Sequence, residues 1–217
     1  MDSPRTADAG QEAAAQISVR RATPEDAEAA AAVMALAFTD DPWTRAHAAG
    51  GDDLTKRLNE HYRLLLEEDW LQRAEVDVAV LSGRQGQQAP ELLGVAIWDR
   101  PVDPEAPSPA RNDVQERAEA ILGVDPEIEA QDHRDLDRLH PREPHWRLAM
   151  LTVAPAAQGR RVGSTLLEHG LARAEGLPAV LEATTPGSRR LYERSGFELV
   201  ELMTDALGVE QAVMRRG

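Results

Sequence analysis

The segment Gln158-Gly-Arg-Arg-Val-Gly-Ser164 sets two glycines and two arginines where the spacing of Leu166, Leu167, Leu171 and Ala174 predicts that a helix begins, near Val162. The first amides of a helix have no partner within it, and the macrodipole adds positive potential there. A loop that enters a helix in this way is an anion site. Gly159 and Gly163 let the backbone approach a ligand that a Cβ would hold off. Arg160 and Arg161 add two formal charges, and Arg189 and Arg190, opening the next predicted helix, add two more. Basic residues near loops that follow strands, in an otherwise acidic chain, point to a small polyanionic ligand. The segment has neither the Gly-Lys-Ser/Thr ending of a Walker loop nor the GxGxxG of a dinucleotide fingerprint. For the loop alone, a solvated turn kept polar for solubility is an equal reading.

The elements that must position this loop follow from periodicity and turn chemistry. A strand over 146–153 leads into it, and the helix after it extends to about Glu175. Upstream, 17–22 alternates as a strand. Thr23-Pro24-Glu25-Asp26 then has a cap residue, proline at the first helical position and acids in the first turn, so a helix runs to about Phe38. Residues 53–70 form a second amphipathic helix, with Leu54, Leu58, Tyr62, Leu65 and Leu66 on one face. Residues 76–81 and 92–98 form a hairpin across a Gly/Gln-rich turn. Pro101 to Pro109 is a loop, and the charged stretch 112–139, interrupted near 123–126, reads as an exposed helical cover over a pocket and not as core, or equally as a solvated insertion without chemical importance. Strand 178–183, helix 186–194 and strands 197–203 and 209–214 close the chain. The order is that of one mixed α/β domain over 17–217, with a flexible tail over 1–16 and an insertion over 101–145.

The 217 residues are 42% hydrophobic and 29% charged, with a formal net charge of −14. That charge disfavours a nucleic-acid or anionic-membrane partner, which requires a basic field. Without cysteine there is no disulfide, thiolate metal site or cysteine nucleophile. His133, His140 and His145 lack metal-ligand spacing, so no metal is expected. No apolar run reaches the ~18 residues of a membrane span, and 1–16 lacks a signal-peptide core. The expectation is a cytoplasmic protein, monomeric or homodimeric.

Three segments together carry a family resemblance. They are the strand ending Leu151-Thr-Val153, the loop Gln158-Gly-Arg-Arg-Val-Gly163, and Leu191-Tyr-Glu-Arg-Ser-Gly-Phe197. In this order they resemble the GNAT superfamily of acetyl-CoA-dependent N-acetyltransferases, over nearly the whole chain from Val19 onward. Residues 19–26, 37–42 and 139–146 further resemble puromycin N-acetyltransferase-like members, which implies a small-molecule amine as acceptor. The resemblance implies a central twisted mixed sheet flanked by helices, with the insertion before the cofactor strand. It assigns acetyl-CoA to the backbone of Leu151, Thr152 and Val153 and to the amides of Gly159, Arg160, Arg161, Val162, Gly163 and Ser164. Arg161 replaces the family's middle glycine, and Ser188 stands where an asparagine is frequent.

Acetyl transfer requires a neutral amine, two reactants held in contact, a donor for the developing oxyanion and a proton for the leaving thiolate. By resemblance Leu151 N–H is the oxyanion donor and Tyr192 the general acid, its ordinary pKa being ~10. Read alone, Tyr192 is an amphipathic core residue, and its place in LYERSGF after this strand and loop favours the acid. Glu182 is the base candidate, acting directly or through water, with burial expected to raise its pKa; a structural carboxylate is the equal alternative. His145 is a third option, and an amine that arrives neutral needs no base. Phe38, Trp43, Tyr62 and Trp98 are expected to wall an acceptor pocket in which Asp40, Asp41 or Asp99 attracts a cationic amine. The reading is an N-acetyltransferase of a small, antibiotic-like amine. Its rivals are a protein or peptide N-acetyltransferase and a CoA-binding module that has lost catalysis.

Overall fold

The computed structural model describes residues 16–82, 90–102 and 113–217, so the tail, the hairpin turn and most of the proline loop lie outside the described residues. Strand β1 (Ile17–Arg21) is followed by a 3-10 turn (Pro24–Asp26) and α1 (Ala27–Phe38). The predicted cap is present: the Asp26 carboxylate accepts from Thr23 N–H (2.8 Å) and from the Thr23 hydroxyl (3.1 Å). Helices α2 (Pro42–His47) and α3 (Leu54–Leu65) follow. The predicted second helix passes through a π-turn (Leu66–Trp70) before the short α4 (Leu71–Arg73). Next come β2 (Glu75–Leu81), β3 (Glu91–Asp99), α5 (Asp113–Leu122), α6 (Pro126–Asp137), β4 (Trp146–Val153), α7 (Val162–Leu171), β5 (Ala179–Ala183), α8 (Pro186–Arg194), β6 (Glu198–Thr204) and β7 (Glu210–Arg216).

The seven strands form one sheet in the order β1-β2-β3-β4-β5-β7-β6, antiparallel except for the β4–β5 pair. Both faces are covered. Met34, Leu58, Leu66, Val76, Val78 and Ile97 belong to a core formed with α1, α3 and α5. Trp98, Leu148, Leu166, Leu167, Leu181 and Phe197 belong to a second core under α7 and α8. Burial on both faces explains why β3 reads as a continuous apolar run without alternation. At the far edge, β6 leaves Leu199, Val200 and Leu202 exposed.

The insertion is not the solvated cover its charges imply. Val114, Ala118 and Leu122 of α5 are buried, one helical turn apart, and join the α1/α3 core. His61 Nδ1–H of α3 donates to Ala118 O (2.8 Å), and Arg57 Nη1 donates to Leu122 O (3.0 Å). These two bonds hold α5 along α3, so the insertion is a packed layer and not a solvated one.

Candidate active site

Strands β4 and β5 pair only over Trp146↔Ala179, Arg147↔Val180 and Leu148↔Leu181. Beyond Leu148 they diverge, although β4 runs on to Val153 and β5 to Ala183. On its other side β4 stays paired with β3, as in Ala96↔Leu151, Val95↔Thr152 and Gly94↔Val153. Pairing shifts where Ile97 opposes Met150 and Trp98 opposes Leu148, which leaves Ala149 as the extra residue of a bulge. The segment from Ala149 to Val153 therefore presents a strand edge with no partner on the β5 side. An extended ligand can complete such an edge through main-chain hydrogen bonds. The gap opens into a cleft of about 1120 Å³ that passes through the sheet and is lined by elements from both faces.

The loop leaving β4 turns through two left-handed residues, Gly159 (φ +76°) and Arg161 (φ +65°), the latter capping α7. Glycine adopts this conformation freely, whereas arginine does so at a cost of about 1–2 kcal/mol. The amides of Val162, Gly163 and Ser164 make no hydrogen bond among the described residues; Thr165 N–H is the first to bond back, to Arg161 O (3.0 Å). Gly159, Arg161, Val162, Gly163 and Ser164 all line the cleft, as do Leu151, Thr152 and Val153. Arg160 is exposed beside them and, like Arg161, makes no ion pair among the described residues. Of the other two arginines, Arg189 is paired with Glu193 (2.9 Å). Ser188 also lines the cleft, but its hydroxyl is engaged in the α8 cap, donating to Thr185 O (2.9 Å) while Ser188 N–H donates to Thr185 Oγ1 (3.1 Å).

Tyr192 lines the same cleft from α8 with its ring against Phe197. Its hydroxyl has no hydrogen bond among the described residues. Burial, together with the Glu182 charge, pushes its pKa up, so the phenol keeps its proton throughout the neutral range. Glu182 behaves opposite to expectation. Burial alone would push its carboxyl up, but the Arg147 charge and a hydrogen bond with His140 outweigh it and hold the pKa down to about 2. Arg147 Nη2 donates at 2.9 Å and His140 Nε2 lies at 2.6 Å. A carboxylate fixed in that way is a poor proton acceptor.

Phe38, Trp43 and Tyr62 line the cleft, whereas Trp98 does not. The Trp98 indole lies in the α7 core against Gly170, where an added Cβ would come within 2.1 Å of Nε1. The acids are engaged as well. Asp40 pairs with Arg45, and Asp99 pairs with Arg73 (2.9 Å) and Arg147 (3.5 Å). Asp41 caps α2 by accepting from Thr44 N–H (3.0 Å) and also accepts from the Thr184 hydroxyl (2.6 Å), tying α2 to the end of β5. His145 donates from Nδ1 to Glu143 O (2.9 Å) and is not part of the cleft lining.

The insertion, expected to cover the pocket, reaches the cleft wall through Gln115, Ala118, Leu122, Glu129, Asp132 and Leu136, none of which the sequence singled out. His61 also lines it, with a pKa pushed down by burial, against the opposing effect of its bond to Ala118 O. Only its position on the buried stripe of α3 hinted at this, three residues from Leu58.

Residues 116–199 match the acetyltransferase (GNAT) domain family. Among solved structures, the chain is similar to a protein of Corynebacterium glutamicum described as histone acetyltransferase HPA2 and related acetyltransferase. Identity is 29% and the TM-score 0.71, over 92% of this chain and 95% of that one. The PaiA N-acetyltransferase of Thermoplasma acidophilum, solved with coenzyme A, shares the fold at 14% identity and a TM-score of 0.56, over 93% and 98% of the two chains. A diverging parallel strand pair, an open β4 edge and free amides at the start of α7 thus coincide with a shared fold and with a match over residues 116–199 to the GNAT acetyltransferase domain, a type of domain that uses acetyl-CoA.

Proposed function

We propose that the protein transfers the acetyl group of acetyl-CoA to the primary amine of a small molecule by direct attack on the thioester. One observation carries this reading: the unpaired edge Ala149–Val153 leads straight into the free amides of Val162, Gly163 and Ser164, and Tyr192 faces the same cleft. An extended arm ending in a pyrophosphate fits that path, the arm along β4 and the phosphates at the start of α7 with Arg160 and Arg161 beside them. The left-handed Arg161 supports the fit, because the backbone has the form a glycine would give it.

In the reaction, the amine nitrogen forms the new C–N bond at the thioester carbonyl as Leu151 N–H donates to the developing oxyanion. The C–S bond then breaks, and Tyr192 gives the departing sulfur its proton or shares it in a short hydrogen bond. With Glu182 held ionised, the amine's proton passes to water or to His61, whose imidazole burial keeps neutral. The acceptor sits among Phe38, Trp43 and Tyr62, under α5. Packing of α5 into the core favours a small, antibiotic-like acceptor, as does the resemblance to puromycin N-acetyltransferase-like proteins. A protein acceptor is the second reading, supported by the description of the Corynebacterium relative.

Thiol release from acetyl-CoA, followed against panels of small amines and of peptides with wild type and Tyr192→Phe, tests the proposal. Turnover with small amines, loss of turnover in Tyr192→Phe and unchanged CoA binding support it. Preference for peptides moves the assignment to the second reading. CoA binding without transfer to any acceptor leaves only a binding module.

A further inference from the structure

We infer that the protein holds a divalent transition-metal ion, zinc by its donor chemistry, at His47, Asp132 and Asp205. This site is separate from acetyl transfer and does not rest on the proposed function.

The three residues come from distant parts of the chain: the end of α2, the middle of α6 and the turn after β6. Each offers one ligand atom, and these atoms all lie within 4.8 Å of one another. His47 Nε2 is 3.0 Å from Asp132 Oδ2 and 3.6 Å from Asp205 Oδ2. The side chains are buried, with 1%, 6% and 0% exposure for His47, Asp132 and Asp205.

Proton bookkeeping makes the cluster unusual. His47 Nδ1 lies 3.0 Å from the Trp43 carbonyl, so it carries the hydrogen and donates it. In a neutral ring Nε2 then bears a lone pair, and that lone pair faces two carboxylates. A histidine fixed by an Nδ1–H···O=C bond is the arrangement that aims Nε2 at a metal. The Trp43 ring stacked on His47 at 4.2 Å holds the imidazole plane. Asp205 Oδ1 accepts from Leu207 N–H (2.9 Å) and Val209 N–H (2.8 Å), but Oδ2 is buried with no hydrogen-bond partner. Two buried carboxylates converge on one imidazole with no arginine or lysine among the described residues to pair them, a charge pattern that a divalent ion matches.

Size agrees. Tetrahedral zinc with bonds of about 2.0–2.1 Å separates its ligand atoms by about 3.3–3.4 Å, close to the two His47 distances. One imidazole and two carboxylates leave the fourth position to water, and they match zinc better than the all-oxygen preference of magnesium or calcium. Asp132 also lines the large cleft, so the ion stands in its wall and clamps α6 to α2 and to the β6–β7 turn.

The test uses the full-length protein free of any polyhistidine tag, stripped with a chelator and then titrated with Zn2+. Metal content after gel filtration, melting temperature and, with Co2+ as probe, the visible bands of a four-coordinate site are read. About one ion per chain, a melting temperature that falls on chelation and recovers with Zn2+, and four-coordinate Co2+ bands are expected. His47→Gln should weaken binding at least about tenfold. Because that variant removes a buried contact, Asp205→Asn is the second arm: its Oδ1 keeps the turn, and its amide donates to His47 Nε2. It should fold, bind no stoichiometric metal and melt at the same temperature with or without Zn2+. Less than stoichiometric metal in wild type, or equal occupancy in Asp205→Asn, overturns the site. So does a wild type indifferent to chelation, the behaviour of a protonated histidine between two carboxylates.

Discussion

Replacing Glu182 by glutamine separates a structural carboxylate from a catalytic base. Glu182 is 9% exposed and lies between Arg147 and His140. Its pKa falls from 4.5 to about 2 on folding. At ~1.4 kcal/mol per pH unit, that fall corresponds to about 3 kcal/mol of stability at pH 7. The folded-state pKa is depressed, so this contribution is complete above the unfolded value of 4.5 and is lost as pH drops through the folded value near 2. Glutamine keeps the shape and removes the charge, leaving Arg147 with Asp99 as its remaining acid. Urea unfolding of both proteins at several pH values should show Glu182→Gln about 3 kcal/mol less stable at pH 7. The gap should narrow to about 1.4 kcal/mol at pH 3. A variant within about 0.5 kcal/mol of wild type at pH 7, or a gap that widens on acidification, would refute the ion-pair account and restore the base with a raised pKa.

Other expectations are independent of that one. Tyr192→Phe should lower kcat by about 10²–10⁴ with the acetyl-CoA dissociation constant unchanged; an equal loss of binding would make the residue a packing element. Arg161→Gly removes a left-handed arginine costing about 1–2 kcal/mol but adds about 0.5–1 kcal/mol of chain entropy to be lost. Denaturant titration should therefore show a gain of about 0–1.5 kcal/mol, and calorimetry a CoA affinity reduced less than tenfold. Complete loss of binding would instead make the guanidinium the principal phosphate ligand. Gly170→Ala drives a methyl into the Trp98 indole and should cost about 1–3 kcal/mol, with a shift in tryptophan emission. No change in either quantity would place Trp98 elsewhere.

Much of the fold, and the elements around the cleft, were readable because those features are local. The α8 boundaries Pro186–Arg194 follow from Thr185, which caps a helix opened by proline. The strand, loop and helix over 146–171 follow from apolar spacing and two glycines. What failed depended on tertiary context. Trp98 belongs to a strand buried on both faces, so no alternation marks which face each residue meets, and it lies against α7 and not in the acceptor pocket. For Glu182, the strand predicts burial but not the arrival of Arg147 and His140, which reverses the sign of its pKa shift. The cluster of His47, Asp132 and Asp205 has separations that no motif describes.

The insertion shows how function can reside in a segment without a signature. Its even mixture of acids and arginines conceals Val114, Ala118 and Leu122, one side chain per helical turn, and that stripe alone seats α5 on α3. Once α5 is seated, Gln115 and Ala118 face the cleft, and α6 brings Glu129 and Asp132 to the same wall. The proposed cofactor path is built of main chain, and at Arg161 the backbone keeps a left-handed form without a glycine. The proposed acceptor wall is built of side chains from two helices, α5 and α6, held by contacts with α2 and α3. The proposed function thus assigns selectivity among acceptors chiefly to 113–137, a segment in which no short motif marks the cleft-facing residues. Changes there should redirect the acceptor while the use of acetyl-CoA persists. Exchanging Gln115 or Glu129 and measuring kcat/KM across an amine panel checks the point: preferences should reorder while the KM for acetyl-CoA stays fixed, and a uniform loss across all amines would show that the wall only supports the fold.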